Sequence, residues 1–191
     1  MKKIINKDEF KQFKEESLEN IKNGRLYIHP TDTIYGIGCN AKDSKAVFRV
    51  RELKGRPKTP FSIMVPSKEW IYENCELDAE AIKWVEKLPG PYTLILKLGN
   101  RDAVSKEVNL NSDSIGVRIP DHWFAEEVRE LGLPLVTTSA NKVGDNFMTS
   151  LRNLDPDIKS GVNFMIYEGE KKSRPSKIVN LYQEEVEIIT R

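Results

Sequence analysis

The feature that most constrains this chain is a rhythm of short apolar runs. Phe61 to Val65 (FSIMV), Tyr92 to Leu98 (YTLILKL), Ser114 to Pro120 (SIGVRIP) and Pro134 to Thr138 (PLVTT) are too short for stable helices and rich in strand-favouring residues. Leu26 to Ile28, Phe164 to Tyr167, Lys177 to Tyr182 and Val186 to Thr190 extend the series. Between the runs lie segments with helical spacing. Residues 8 to 22 read as one helix, capped by Asp8, with Phe10, Phe13, Leu18 and Ile21 on one face. Asp43 or Ser44 caps a second, carrying Ala46, Val47, Val50 and Leu53. Asp78 caps a third, with Ile82, Val85 and Leu88 on its apolar face, and Trp123 to Leu131 form a fourth. Strands mixed with helices of this length predict an α/β domain with an open, twisted mixed sheet flanked by helices, as a single domain over residues 1–191. Residues 99 to 113 read as turns, and residues 142 to 160 as a mobile, lid-like loop.

Composition narrows the class. The 191 residues carry a net charge of +1, so no bulk charge draws the chain to nucleic acid or a membrane. No apolar run reaches membrane-spanning length, and the N-terminus lacks the apolar core of a signal peptide. Cys39 and Cys75 fit no zinc pattern and read as reduced thiols of a cytoplasmic protein. Two histidines, His29 and His122, exclude a histidine-rich metal site, and no strong protein metal-ligand set is visible.

Chemistry-bearing residues gather at strand ends. After Tyr27 and Ile28, Pro30 stops the ladder; Thr31, Asp32, Thr33 and Tyr35 follow, then Gly36 and Gly38. Lys54 and Arg56 flank Gly55 just before Pro57. If that segment is extended, both cations project to one side. Ser139 and Asn141 end one strand run, and Ser173 to Ser176 precede another. Arg118 sits between Val117 and Ile119, where it either snorkels or faces an anion. Neither a G-x-x-x-x-G-K-[ST] loop nor a G-x-G-x-x-G turn is present, and Ser139 has no G-x-S-x-G around it. Spacing alone gives an α/β protein with a polar, partly basic pocket.

In this order the clusters resemble the YrdC-like family. PTDTIYGIG (Pro30 to Gly38), KGRP (Lys54 to Pro57), PGPYTLIL (Pro89 to Leu96), SIGVRIPDH (Ser114 to His122), PLVTTSAN (Pro134 to Asn141) and PSKIVN (Pro175 to Asn180) are similar to its motifs, from about Ile28 to the C-terminus. Met64 falls near the place where many relatives carry a histidine, and Lys177 and Asn180 stand where Thr and Asp are common. The K-x-R and S-x-N pairs, parts of which a sister branch has lost, are both intact, which favours an active synthase.

The resemblance implies a single-domain threonylcarbamoyl-AMP synthase, a nucleotidyltransferase. L-threonine and bicarbonate give a carbamate that attacks the α-phosphate of ATP, and pyrophosphate leaves. Other proteins, the tRNA threonylcarbamoyl-transferases, then move the group onto adenosine in tRNA. It assigns Lys54 and Arg56 to phosphate and to catalysis. Thr33, Arg118, Ser139 and Ser176 would hold threonine, with Arg118 on its carboxylate. Thr59, Ser114, Asn141, Thr149 and Arg191 would join Lys54 and Arg56 on ATP. Mg²⁺ is expected with the triphosphate, held mainly by the phosphates. The competing expectation is a module of the same fold that binds tRNA, double-stranded RNA or the ribosome without synthase activity.

Overall fold

The structure is a computed structural model that describes residues 3–183 and 185–190. Among the described residues the strands are β1 (Lys3–Ile5), β2 (Tyr27–His29), β3 (Gly36–Asn40), β4 (Ser62–Met64), β5 (Cys75–Glu76), β6 (Tyr92–Leu98), β7 (Ser114–Arg118), β8 (Leu135–Ser139), β9 (Phe164–Ile166), β10 (Lys177–Asn180) and β11 (Glu187–Ile189). The helices are α1 (Lys7–Gln12), α2 (Lys14–Lys22), α3 (Ser44–Lys54), α4 (Lys68–Asn74), α5 (Ala79–Glu86), α6 (Lys106–Asn109), α7 (Trp123–Leu131) and α8 (Pro156–Gly161). All the strands join one open sheet in the order β1-β9-β2-β3-β8-β4-β7-β6-β10-β11, with β5 beside β6. Its pairs are mixed: β4 runs parallel to β7 and β6 to β10, whereas β8 runs antiparallel to both its neighbours, β3 and β4.

Period-two alternation sorts the side chains onto two faces. Ile37, Ile63, Leu94, Leu96, Ile115, Val117, Val136 and Val179 point to one face, where α3, α4, α5, α6 and α8 cover them with Val47, Val50, Ile71, Val85, Val108 and Ile158. Full burial of a side chain of this size contributes about 1.5–3 kcal/mol. The opposite face is treated in two ways. At one end α1, α2 and α7 lay Phe10, Ile21, Phe124 and Val128 over Tyr27, Met64 and Leu135. At the other end the sheet carries short side chains, and among the described residues no helix covers it.

Several elements differ from their sequence reading. The first helix is two: Asn6, not Asp8, caps it with its side chain on the Glu9 amide, and Phe13 breaks it at φ −111° and ψ 34°. Phe13 is exposed while Phe10 and Ile21 are buried, so the broken helix follows the curve of the aromatic cluster. Ile82, expected in the core, is exposed on α5, where Ala81 and Val85 face inward. The stretch from 99 to 113 holds a 3-10 turn at Arg101–Ala103 and then α6. Residues 142–160 are not all loop, because Ser150 and Asp155 cap a 3-10 turn at Leu151–Asn153 and the helix α8. Asp43 and Asp78 cap α3 and α5 as read.

Candidate active site

The uncovered part of the sheet is the floor of a cavity of about 480 Å³. One row of paired residues crosses it from Thr137 on β8 to Ser62 on β4 and Gly116 on β7. All three are small, so this row leaves volume where the opposite face is filled. Gly116 is needed here for space: a Cβ on it would lie 2.7 Å from Ser62 Oγ and 3.2 Å from Ile95 Cδ1. Gly36 does the same at the rim, where a Cβ would meet His29 Nε2 at 3.0 Å.

The structure gathers most of the sequence-predicted residues around this floor. Thr33, Arg56, Thr59, Ser114, Arg118, Ser139, Asn141 and Ser176 all line the cavity. So do Thr31, Ser62, Thr93, Thr137, Thr138 and Phe147, which sequence reading did not assign. Strand alternation was the signal for Ser62, Thr93 and Thr137; what it lacked was the knowledge of which face stays open.

Two assigned residues are placed elsewhere. Lys54 does not line the cavity. It is the last residue of α3, 2% exposed, and the left-handed Gly55 at φ 61° ends the helix, so Lys54 and Arg56 do not share one side of an extended segment. Its ammonium donates to the carbonyls of Ser139 and of Asn141, the latter at 2.6 Å. Burial, helped by the Arg56 charge, pulls its pKa down to about 7. Thr149 is likewise not in the cavity lining; its hydroxyl accepts from Asn153 at 3.1 Å and its carbonyl from the Lys171 amide at 2.9 Å, because it belongs to the turn that Ser150 caps. Arg191 lies outside the described residues.

Arg56 does line the cavity, over the Phe61 ring and donating to the Pro60 carbonyl at 3.0 Å. A residue that sequence reading missed supports it. Arg51, buried on α3, donates to the carbonyls of Arg56 and Thr59, both at 2.9 Å, and to those of Glu107 and Val108. It holds the 56–60 turn against α6. The trace of this in the sequence is an arginine four residues after Val47, on the buried side of the helix.

Arg118 faces an anion rather than snorkelling. Its Nη2 donates to Asp32 Oδ1 at 2.6 Å, with both side chains largely buried, at 7% and 11% exposure. The neighbouring threonines form a closed set. Thr31 Oγ1 donates to the Ile34 carbonyl at 2.8 Å and accepts from the Thr33 amide at 3.1 Å. Its one proton is thereby committed, so in the 3.0 Å contact between the two hydroxyls Thr33 is the donor. Thr33 then offers the cavity lone pairs rather than a proton. Thr93 and Ser176 pair at 2.8 Å on the far wall.

Beneath the rim His29 is buried and stacked on Phe124 at 5.2 Å. Its Nδ1 donates to the Pro30 carbonyl at 3.2 Å, which leaves Nε2 as an acceptor 3.4 Å from the Thr137 hydroxyl. Burial lowers its pKa to about 3, so it is neutral. Met64 sits in the aromatic cluster, outside the cavity lining. The segment between β9 and β10 connects strands on opposite sides of the cavity floor, and Glu168 anchors it to α7 by accepting from His122 and Trp123, each at 2.8 Å, and from Lys171. Among the described residues no group of three or more His, Cys, Asp or Glu is arranged to hold a metal ion, and no helix is long and apolar enough to cross a membrane.

Known proteins share this fold. The family model named for Sua5, YciO and YrdC, described as telomere recombination, matches residues 19–191. A Methanocaldococcus jannaschii protein provisionally named as a threonylcarbamoyl-AMP synthase is 38% identical over 188 residues, covering 95% of this chain and 86% of its own length. The threonylcarbamoyl-AMP synthase of Pyrococcus abyssi is 34% identical over 156 residues, which is 80% of this chain; the match covers 45% of that longer protein. The crystal structure of Pyrococcus abyssi Sua5 complexed with L-threonine superimposes with a TM-score of 0.81 at 30% identity, over 91% of this chain and 52% of that one. The chain belongs to the Sua5/YciO/YrdC family.

Proposed function

We propose that this protein is an L-threonylcarbamoyl-AMP synthase of the nucleotidyltransferase type. L-threonine and bicarbonate condense to the carbamate with loss of water. A carbamate oxygen attacks the α-phosphorus of ATP, the bond to the β-phosphate oxygen breaks, and pyrophosphate leaves. The observation that carries this reading is the content of one cavity: Arg118, Thr33, Ser139 and Ser176 on a floor of small side chains, with Arg56, Thr59, Ser114 and Asn141 along the rim. The first group suits a small amino acid with a carboxylate and a hydroxyl, and the second suits a triphosphate. The Pyrococcus abyssi Sua5 structure is a complex with L-threonine, which supports the same ligand here.

The roles follow from the contacts. Arg118 takes the threonine carboxylate by charge-assisted hydrogen bonding. Thr33, whose proton is committed to Thr31, accepts from the substrate's N–H or O–H groups. Arg56 stabilises the charge that grows on the phosphates, which is what adenylyl transfer asks of a protein. Lys54 acts one step back, by fixing the turn that presents Ser139 and Asn141. Mg²⁺ arrives with the triphosphate as part of the substrate, held mainly by the phosphates. The product passes to separate proteins that carry the threonylcarbamoyl group to tRNA, and the reaction belongs in the cytoplasm, in keeping with the free thiols Cys39 and Cys75.

The test is pyrophosphate release from ATP with threonine and bicarbonate each left out in turn. Release that needs both supports the synthase. Release indifferent to threonine refutes it. The absence of any release, together with a melting shift given by double-stranded RNA and not by threonine, favours the RNA-binding module.

A further inference from the structure

We propose that Asp32 is a positioning residue that aims Arg118 at the substrate carboxylate. The inference rests on reading the cavity as a threonine site. Arg118 lines the cavity and Asp32 does not. Asp32 is therefore placed behind the guanidinium rather than beside the ligand. One carboxylate oxygen accepts from Arg118 Nη2 at 2.6 Å, and the other accepts from the backbone amide of Asp121 at 3.2 Å. The carboxylate thus ties the loop after β2 to the end of β7, where Arg118 is the last residue.

The loop that carries Asp32 is held on both sides of it. Thr31 and Thr33 are buried and bonded to each other and to the Ile34 carbonyl. The Thr31 carbonyl accepts from Lys171 Nζ at 2.9 Å. A carboxylate on so short and so fixed a loop has few positions open to it. A guanidinium is a planar fork, so fixing one amino group fixes the directions of the others. A buried guanidinium with its counter-charge removed would also seek new partners or water, and its aim would be lost. The contact therefore has two effects: it compensates the Arg118 charge before substrate arrives, and it sets the direction of the donors that meet the carboxylate.

The positioning role differs from a role in folding in which kinetic constant it moves. Asp32→Ala is expected to raise the KM for threonine at least about tenfold, with the KM for ATP changed less than about twofold, because only the aim of one anchor is lost. Asp32→Asn keeps an oxygen for Arg118 without the charge and should raise the threonine KM by less than Asp32→Ala does. An unchanged threonine KM in either folded variant, or an equal rise for both substrates, overturns the proposal. Side-chain nitrogen NMR of the Arg118 guanidinium reads the same pairing with no substrate present. Its signal should shift and narrow towards that of a mobile arginine in Asp32→Asn, which serves also where Asp32→Ala does not fold. A signal unchanged from the wild type overturns the proposal. If the wild-type protein fails to use threonine while the Arg118 signal responds to Asp32 as stated, the synthase reading falls and the pairing stands.

Discussion

The Nζ of Lys54 lies 2.6 Å from the backbone carbonyl oxygen of Asn141 and also donates to that of Ser139, so a helix C-terminus and a strand end are joined beneath the cavity. The K-x-R and S-x-N elements thus meet through a lysine that supports the second pair. This changes what a substitution of Lys54 should do. Lys54→Met removes a donor from the Asn141 carbonyl and from the Ser139 carbonyl, which keeps the Asn141 amide at 2.9 Å, and should lower stability by about 1–3 kcal/mol. It should also free the Ser139 to Asp145 turn, read by hydrogen exchange. There is a pH signature. The ordinary lysine value is 10.5 and the folded value about 7. Between these the unfolded chain holds a proton that the folded one has released, so this group alone makes stability rise with pH across that window. From pH 7 to 10 the urea midpoint of the wild type should gain on that of Lys54→Met, since the buried thiols Cys39 and Cys75 act alike in both.

Arg56 and Arg51 should separate chemistry from scaffold. Arg56 reaches the rim of the cavity, and Arg56→Ala should lower turnover by about two orders of magnitude with little change in Tm, as loss of charge stabilisation at a reacting phosphate does. Arg51 bonds four carbonyls and lines no part of the cavity. Arg51→Met should lower Tm clearly. Pyrophosphate release and melting curves on both variants check this; an Arg56→Ala protein that melts early, or keeps full turnover, counts against the assignment.

The acid limb of stability should have two parts. Burial holds His29 at a pKa of about 3 against an ordinary 6.5, so below pH 6.5 the unfolded chain takes up a proton that the folded chain refuses. Burial raises the Glu168 pKa, but hydrogen bonds from His122, Lys171 and Trp123 outweigh it and hold the value at about 2 against an ordinary 4.5. In both cases the unfolded state binds more protons as pH falls, so stability falls with it. The His29 contribution is lost from pH 6.5 downward and the Glu168 contribution from pH 4.5 downward. Urea midpoints against pH for His29→Phe should lack the slope between 6.5 and 4.5, while Glu168→Gln should keep that slope and lose part of the one below it.

Gly116 tests the floor. Its substitution by Ala places a methyl group 2.7 Å from Ser62 Oγ in the row of small residues. The neighbours must give way, which typically costs about 1–3 kcal/mol in a packed site, and the protein should remain folded. Substrates resting on that row should be displaced, with kcat/KM falling about tenfold or more. Unaltered kcat/KM in a correctly folded Gly116→Ala protein would place the substrates away from this floor.

Much of the fold was legible from local rules. Asp43 and Asp78 cap helices as their spacing indicates; FSIMV, YTLILKL and SIGVRIP contain β4, β6 and β7, and PLVTT holds all of β8 but its last residue, Ser139. Period-two alternation is a property of the chain, so it fixed in advance that Ser62, Ser114, Gly116 and Thr137 would point away from Ile63, Ile115, Val117 and Val136. The sequence by itself also placed candidate polar and charged residues at the ends of these runs, and eight of them, from Thr33 to Ser176, line the cavity.

What it did not determine was which residues meet. Asp32 and Arg118 are 86 positions apart and Lys54 and Asn141 are 87 apart, and nothing local links them. Lys54 and Arg56 were read as neighbours on one extended side, yet a left-handed Gly55 turns them into different environments. Arg51 falls on the buried side of α3 by its spacing from Val47, but its partners in the 56–60 turn and α6 come only with the tertiary fold. Tertiary structure decided these matters because pairing order and helix cover are long-range outcomes of packing. They chose which part of the second sheet face stays open, and so turned a row of small residues into the floor of a site.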